Sequence, residues 1–143
     1  MTQAHVATTS IITEASREKV WEALTSPDEI KQYMFGTTVH SGWQVGSSIT
    51  WKGEFEGKAY EDSGKILLAN PEHSLHFTHY SPLFGADLPE NHHTVKIELS
   101  SDDKNTVITL TQDHNTTDQD KARAEKYWHT TLEALKRYLE LGH

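Results

Sequence analysis

"TTDQDKARAEKYWHTTLEALKRYLEL", residues 116–141, decides the fold. Ala124, Trp128, Leu132, Leu135 and Leu139 recur at the three- and four-residue spacing of one helix face, and Thr117 or Asp118 can cap the start. A long helix with one apolar face needs a surface to cover, and the residues before it supply one. From Thr37 to about Asn115 the apolar period is two, with turn residues between the runs in "SGWQVGS", "FEGK", "ANPEHS", "SPLFGADLPEN" and "SSDDKN". This predicts six antiparallel strands. In "SSITWKGEFE" (47–56) one face takes Ile49, Trp51, Gly53 and Phe55, and the other takes Thr50, Lys52, Glu54 and Glu56. The same sorting puts Val95, Ile97 and Leu99 inside against Lys96 and Glu98, and Ile108 and Leu110 inside against Thr109 and Thr111. One sheet therefore has one buried face, and the tail helix covers it.

Upstream, a weakly patterned strand spans about residues 3–13, followed by two short helices. Ser16 can cap the first, which carries Val20, Trp21 and Leu24 on one side. Ser26 suits the N-cap of the second and Pro27 its first position, where a missing N–H costs nothing; Glu29 completes a capping box. Ile30, Tyr33 and Met34 follow, and Gly36 is the expected stop.

With 143 residues the chain is expected to form one domain, residues 1–143, able to bury about two thirds of its unfolded surface. The lack of cysteine excludes disulfides, thiolate zinc sites and thiol nucleophiles, and fits a reducing compartment, so the expected location is cytoplasmic. No secretory leader and no run of about 20 apolar residues is present, so a membrane is not an expected partner. A formal charge of -8 with scattered Lys and Arg repels phosphate backbones and argues against nucleic acid.

The order of strand, two short helices, six antiparallel strands and long C-terminal helix resembles the helix-grip fold of the START and Bet v 1-like (SRPBCC) superfamily. "REKVWEALTSPDEIKQY", "GWQVGSSITWKGE", "GKILLANPEHSLHFTHYSPL", "PENHHTVKIEL" and "YWHTTLEALKRYLE" are similar to the branch named after the activator of the heat-shock protein 90 ATPase, which also holds polyketide-cyclase-like proteins. The resemblance implies an α+β fold in which a curved antiparallel sheet wraps around the long helix, with a cavity between them. It leaves function open, because superfamily members bind lipids, hormones and polyketides, catalyse reactions or contact proteins. The chaperone activators carry this domain behind another, and no second domain is read here, which weighs against that role.

Extending the in/out sorting places polar side chains on the inner face: Tyr60 and Asp62 before Gly64 and Ile66, His79 after Phe77, His93 before Val95, and Gln112 and His114 after Leu110. A buried polar group without a partner costs roughly 1 to 3 kcal/mol, so these side chains must meet each other, water or a ligand. Strand-end fraying is the competing reading for the three histidines. Those histidines with Asp62 also have the donor types of a metal site, but no "HExxH" occurs and His92 and His93 point to opposite faces, so no metal or other cofactor is expected.

Trp51, mid-strand, and Trp128, on the covering helix, are expected to face each other across the cavity, and Leu83, Phe84 and Leu88 between Pro82 and Pro89 to act as lid or plug. The leading expectation is a non-enzymatic binding protein for a small apolar or amphipathic molecule. Its site draws on Trp51, Phe55, Tyr60, Asp62, Phe77, His79, His93, Gln112, His114 and Trp128. The alternatives are a cyclase-like or hydrolase-like enzyme using Asp62 and a histidine, and a chaperone-contacting module.

Overall fold

The computed structural model describes residues 5–55, 57–82, 86–88, 91–115 and 117–141, with the Phe55 side chain outside that set. Strand β1 (Ala7–Thr13) leads into helices α1 (Arg17–Thr25) and α2 (Pro27–Tyr33). Strands β2 (Thr38–Ser41), β3 (Ser48–Phe55), β4 (Lys58–Asn70), β5 (Ser74–His79), β6 (His93–Asp102) and β7 (Asn105–Gln112) follow, and α3 (Asp118–Glu140) closes the order. The sheet runs β1-β7-β6-β5-β4-β3-β2, every neighbouring pair antiparallel, so the chain meanders from β2 to β7 and β1 adds at the far edge.

The face sorting read from the sequence holds. Ile49, Trp51, Ile66, Leu75, Phe77, Val95, Ile97, Leu99, Ile108 and Leu110 are buried, and Lys52, Glu54, Lys96 and Glu98 are exposed on the other side. Helix α3 turns Trp128, Leu132, Leu135 and Leu139 toward this face, each contributing about 1.5 to 3 kcal/mol relative to exposure. Its main packing is against β1 at one edge, where Glu140 accepts from Thr13 Oγ1 and the Glu14 N–H, both at 3.0 Å. The helix thus grips one side of the sheet and leans over the rest.

The helix starts show two matches and one difference. Ser16 Oγ accepts from the Lys19 N–H at 3.2 Å and Thr117 Oγ1 from the Asp120 N–H at 3.0 Å, as side-chain caps do. The capping box of α2 does not form: Ser26 makes no side-chain cap bond, and Glu29 instead accepts from Tyr138 Oη at 3.0 Å. A tertiary bond to α3 has replaced the local one.

Two glycines let chains approach. A Cβ on Gly64 would lie 1.8 Å from the Thr78 carbonyl oxygen, so no other residue fits where β4 approaches β5 this closely. A register shift between Ile66 and Leu68 follows, leaving both Leu67 and Leu68 on the exposed side. At Gly53 a Cβ would meet Tyr60 Oη at 2.7 Å, because the tyrosine lies across the position where a side chain is missing.

Candidate functional site

Strands β3, β4 and β5 build a polar group on the inner face. Trp51 pairs with Asp62 and Gly53 with Tyr60 across β3 and β4, while the bridge Ser63–Tyr80 joins β4 to the end of β5. Asp62 and His79 meet there, the His79 Nε2–H donating to Asp62 Oδ2 at 2.9 Å. A carboxylate only accepts, so Nε2 carries the proton. The side chains are 14% and 23% exposed for Asp62 and His79, so solvent reaches the pair only narrowly. The Trp51 ring packs edge-on against His79, centroids 4.9 Å apart, and against Phe77 at 5.5 Å. One oxygen of the carboxylate, Asp62 Oδ1, is buried with no hydrogen-bond partner.

Tyr60 sits beside this pair. Lying over Gly53, it shares a 2.7 Å hydrogen bond between its hydroxyl and Thr37 Oγ1. From the helix side, Tyr127 faces the same space: burial, then the Tyr60 and Asp62 charges, push its phenol up to about 12. About half of the Tyr127 surface still meets solvent (48%), and with its pKa raised the hydroxyl stays protonated at neutral pH.

Next to the polar group is an apolar cavity of about 50 Å³ between sheet and helices. Trp51 and Trp128 both line it, together with Phe77, Met34, Trp43 and Leu135. Ligand pockets for drug-sized molecules run to about 300 Å³ or more, so in this conformation the space suits only a small apolar ligand fragment.

Of the remaining expected residues, His93 adjoins the polar group while Gln112 and His114 are engaged elsewhere. Gln112 is buried but committed: Trp128 Nε1–H donates to Gln112 Oε1 at 2.7 Å, and Gln112 Nε2–H donates to Asn115 Oδ1 at 3.0 Å. His93 pairs with His79 across β5 and β6, and its Nδ1–H donates to the Asp113 carbonyl at 2.8 Å. Burial holds its imidazole below the ordinary range; the bond to Asp113 opposes this, and the His79 and His114 charges add to it. His114 departs from the inner-face reading. Strand β7 ends at Gln112, His114 takes a left-handed backbone (φ 60°), and its exposed ring pairs with Asp113 at 2.8 Å. Strand-end fraying, the competing reading, applies to this histidine. Phe55 as a side chain, and Leu83 and Phe84 of the expected lid, lie outside the described residues; Leu88 is exposed.

Sequence patterning missed Thr37 and Tyr127. Thr37 sits in the turn before β2 with no periodic signal, and Tyr127 falls beside the apolar stripe of α3 rather than on it. Gly53, a glycine inside a strand pattern, was a usable sign of close approach. Among the described residues no three His, Asp or Glu side chains gather as metal ligands, and no helix is long and apolar enough to cross a membrane.

The profile of the family described as "Activator of Hsp90 ATPase homolog 1-like protein" matches residues 14–140. A Cytophaga hutchinsonii protein solved in solution is 49% identical, with 98% of this chain and 97% of that one aligned and a TM-score of 0.85. The Aha1 dimer from Colwellia psychrerythraea is 26% identical over 96% of this chain and 97% of its own, with a TM-score of 0.74. Ara h 8.0201 shares the fold at 12% identity, covering 96% of this chain and 99% of that one at a TM-score of 0.78. Together these identify the fold as Bet v 1-like helix-grip. No curated protein matches by sequence.

Proposed function

The chain belongs to the family of Activator of Hsp90 ATPase homolog 1-like proteins, and within it we propose that it is a binding protein for a small amphipathic molecule held between the sheet and α3. One observation carries this reading: a largely buried polar group, Tyr60, Asp62 and His79, is built against the wall of an apolar cavity through the shared ring of Trp51. Polar groups fix a ligand's orientation while the apolar wall supplies area, which is the usual division of labour in small-molecule sites. A ligand larger than a fragment requires the cavity of about 50 Å³ to widen, and the side of the sheet away from the β1–α3 packing has the fewest helix contacts to lose.

The hydrogen-bonded Asp62–His79 pair also has the parts of a proton-transfer enzyme, and the family description points to a chaperone. An apolar cavity lined by three tryptophans is not needed for a chaperone contact, and the pair alone does not require a reaction. The test is native mass spectrometry of the purified protein with organic extraction, followed by titration of extracted or candidate molecules against ¹⁵N-labelled protein. Shifts of the Trp51 and Trp128 indole N–H signals are expected. Saturating ligand that moves neither, together with stimulation of heat-shock protein 90 ATPase on mixing, would transfer the assignment to the chaperone reading.

A further inference from the structure

The second carboxylate oxygen of Asp62 specifies what the ligand's polar end must be. Oδ2 is taken by His79, while Oδ1 is buried and receives nothing. A buried acceptor left unpaired is costly, and more so on a charged group, so the native state keeps this oxygen only where something completes it. Among the described residues Asp62 has no Lys or Arg partner, and His79 is its one ion-pair contact. A second partnerless buried oxygen lies close in the fold. Ser81 Oγ belongs to the residue after Tyr80, and Asp62 is the residue before Ser63, to which Tyr80 is joined by an isolated antiparallel bridge, so the two lie near each other in the fold. The hydroxyl of Ser81 both donates and accepts, but the carboxylate of Asp62 only accepts.

We infer that the bound molecule donates an O–H or N–H to Asp62 Oδ1, so that the site selects alcohols, phenols or amines over ethers and hydrocarbons of the same shape. This rests on the small-molecule reading above and narrows it. Trp51, in contact with His79 and lining the cavity, gives the ligand's apolar body a wall beside that donor. The Tyr60 hydroxyl already bonds Thr37, whereas Asp62 Oδ1 and Ser81 Oγ are buried with no partner, which makes them the groups that most need the ligand's polar end.

The experiment is a comparison of benzyl alcohol, benzylamine and ethylbenzene, which differ only in the terminal O–H, NH₃⁺ or CH₃. Each is titrated into labelled protein while the Trp51 and Trp128 indole signals and the His79 ring signals are followed. The alcohol or the amine is expected to bind at least about tenfold more tightly than ethylbenzene, the worth of one hydrogen bond to a charged group. Which of the two binds better separates a neutral from a cationic donor. In Asp62→Asn the one amide oxygen stays with His79 Nε2–H and the NH₂ takes the place of Oδ1, so the donor preference should vanish. Equal affinity for all three in the wild type overturns the inference while leaving the binding function standing, and means that water completes Asp62. Failure of all three to move the tryptophan signals removes the binding reading and this inference with it. Should Asp62→Asn not fold, the wild-type series alone decides.

Discussion

Trp128 and Gln112 are locked together inside the protein, the indole Nε1–H donating to Gln112 Oε1 at 2.7 Å. Gln112 then donates to Asn115, and Asn115 Nδ2 donates to the carbonyls of Gln112 at 2.8 Å and His5 at 2.6 Å. This chain of bonds ties the first half of α3 to the end of β7 and the start of β1. Trp128→Phe keeps most of the ring but removes the donor, leaving a buried amide oxygen unpaired at a cost of about 1 to 3 kcal/mol. Urea melts with an unchanged m-value are expected to show a loss in that range; no loss would mean that Gln112 finds another donor.

Glycines 53 and 64 should respond very differently to alanine. At Gly64 the new Cβ meets a backbone oxygen of the neighbouring strand at 1.8 Å, which cannot yield without separating β4 from β5. At Gly53 it meets the far end of the Tyr60 side chain, which can swing away and give up its bond to Thr37. Gly53→Ala is expected to cost about 1 kcal/mol in stability, near a single lost hydrogen bond. Gly64→Ala is expected to cost more than about 3 kcal/mol or to prevent folding, since overpacking without relief exceeds the usual range. Thermal melts of both variants check the order, and the reverse order would contradict the packing.

The His93 ring should make the protein less stable as pH falls below neutrality. Burial depresses its folded-state pKa from the ordinary 6.5, so between the two values the unfolded chain binds more protons than the folded one. Stability therefore rises with pH in that window: the full contribution is present above about pH 6.5 and is lost as pH falls toward the folded value. Glu140 acts lower on the scale, its carboxyl held down by Lys136 and the Glu14 N–H, so its loss begins only below about 4.5. Melting temperature is expected to drop between about pH 7.5 and about pH 5.5, and the drop should shrink in His93→Asn, whose amide N–H can still donate to the Asp113 carbonyl. An unaltered pH slope in the variant would assign the effect to another group.

How far the residues alone reach is clearest in β3 and β7. Alternation in "SSITWKGEFE" identified the inner face of β3, because one buried face imposes a period of two on every strand that crosses it. The same rule, carried past Leu110, sorted Gln112 inward and failed at His114, where the chain leaves the strand through a left-handed residue and the period no longer applies. Asp62 and His79 were placed on one face by alternation, but their meeting also depends on the pairing of β4 with β5 and the close approach of Gly64 to Thr78, which alternation does not register. The capping box at Ser26 failed for a related reason: Glu29 had a better partner in Tyr138, more than a hundred residues away in the chain.

Leu135 offers the most direct test of whether the space beneath α3 is a working cavity. It is 1% exposed and lines the cavity of about 50 Å³ with Trp51, Phe77 and Trp128. Truncation to alanine removes buried apolar area and adds volume to a void already present, so the transfer and cavity terms act together and about 2 to 5 kcal/mol of stability is expected to disappear. The enlarged void is apolar on all the named sides, and such a cavity stays dry and takes up benzene once it reaches about 150 Å³. Benzene should therefore raise the melting temperature of Leu135→Ala clearly, since a ligand that binds only the folded state stabilises it by mass action. The wild-type response separates two kinds of protein. A small but measurable rise in wild type means that the cavity already opens to admit an apolar body, as a binding protein requires. A rise confined to Leu135→Ala means a rigid core with a packing defect, and the binding site would then have to lie at the Tyr60–Asp62–His79 rim alone.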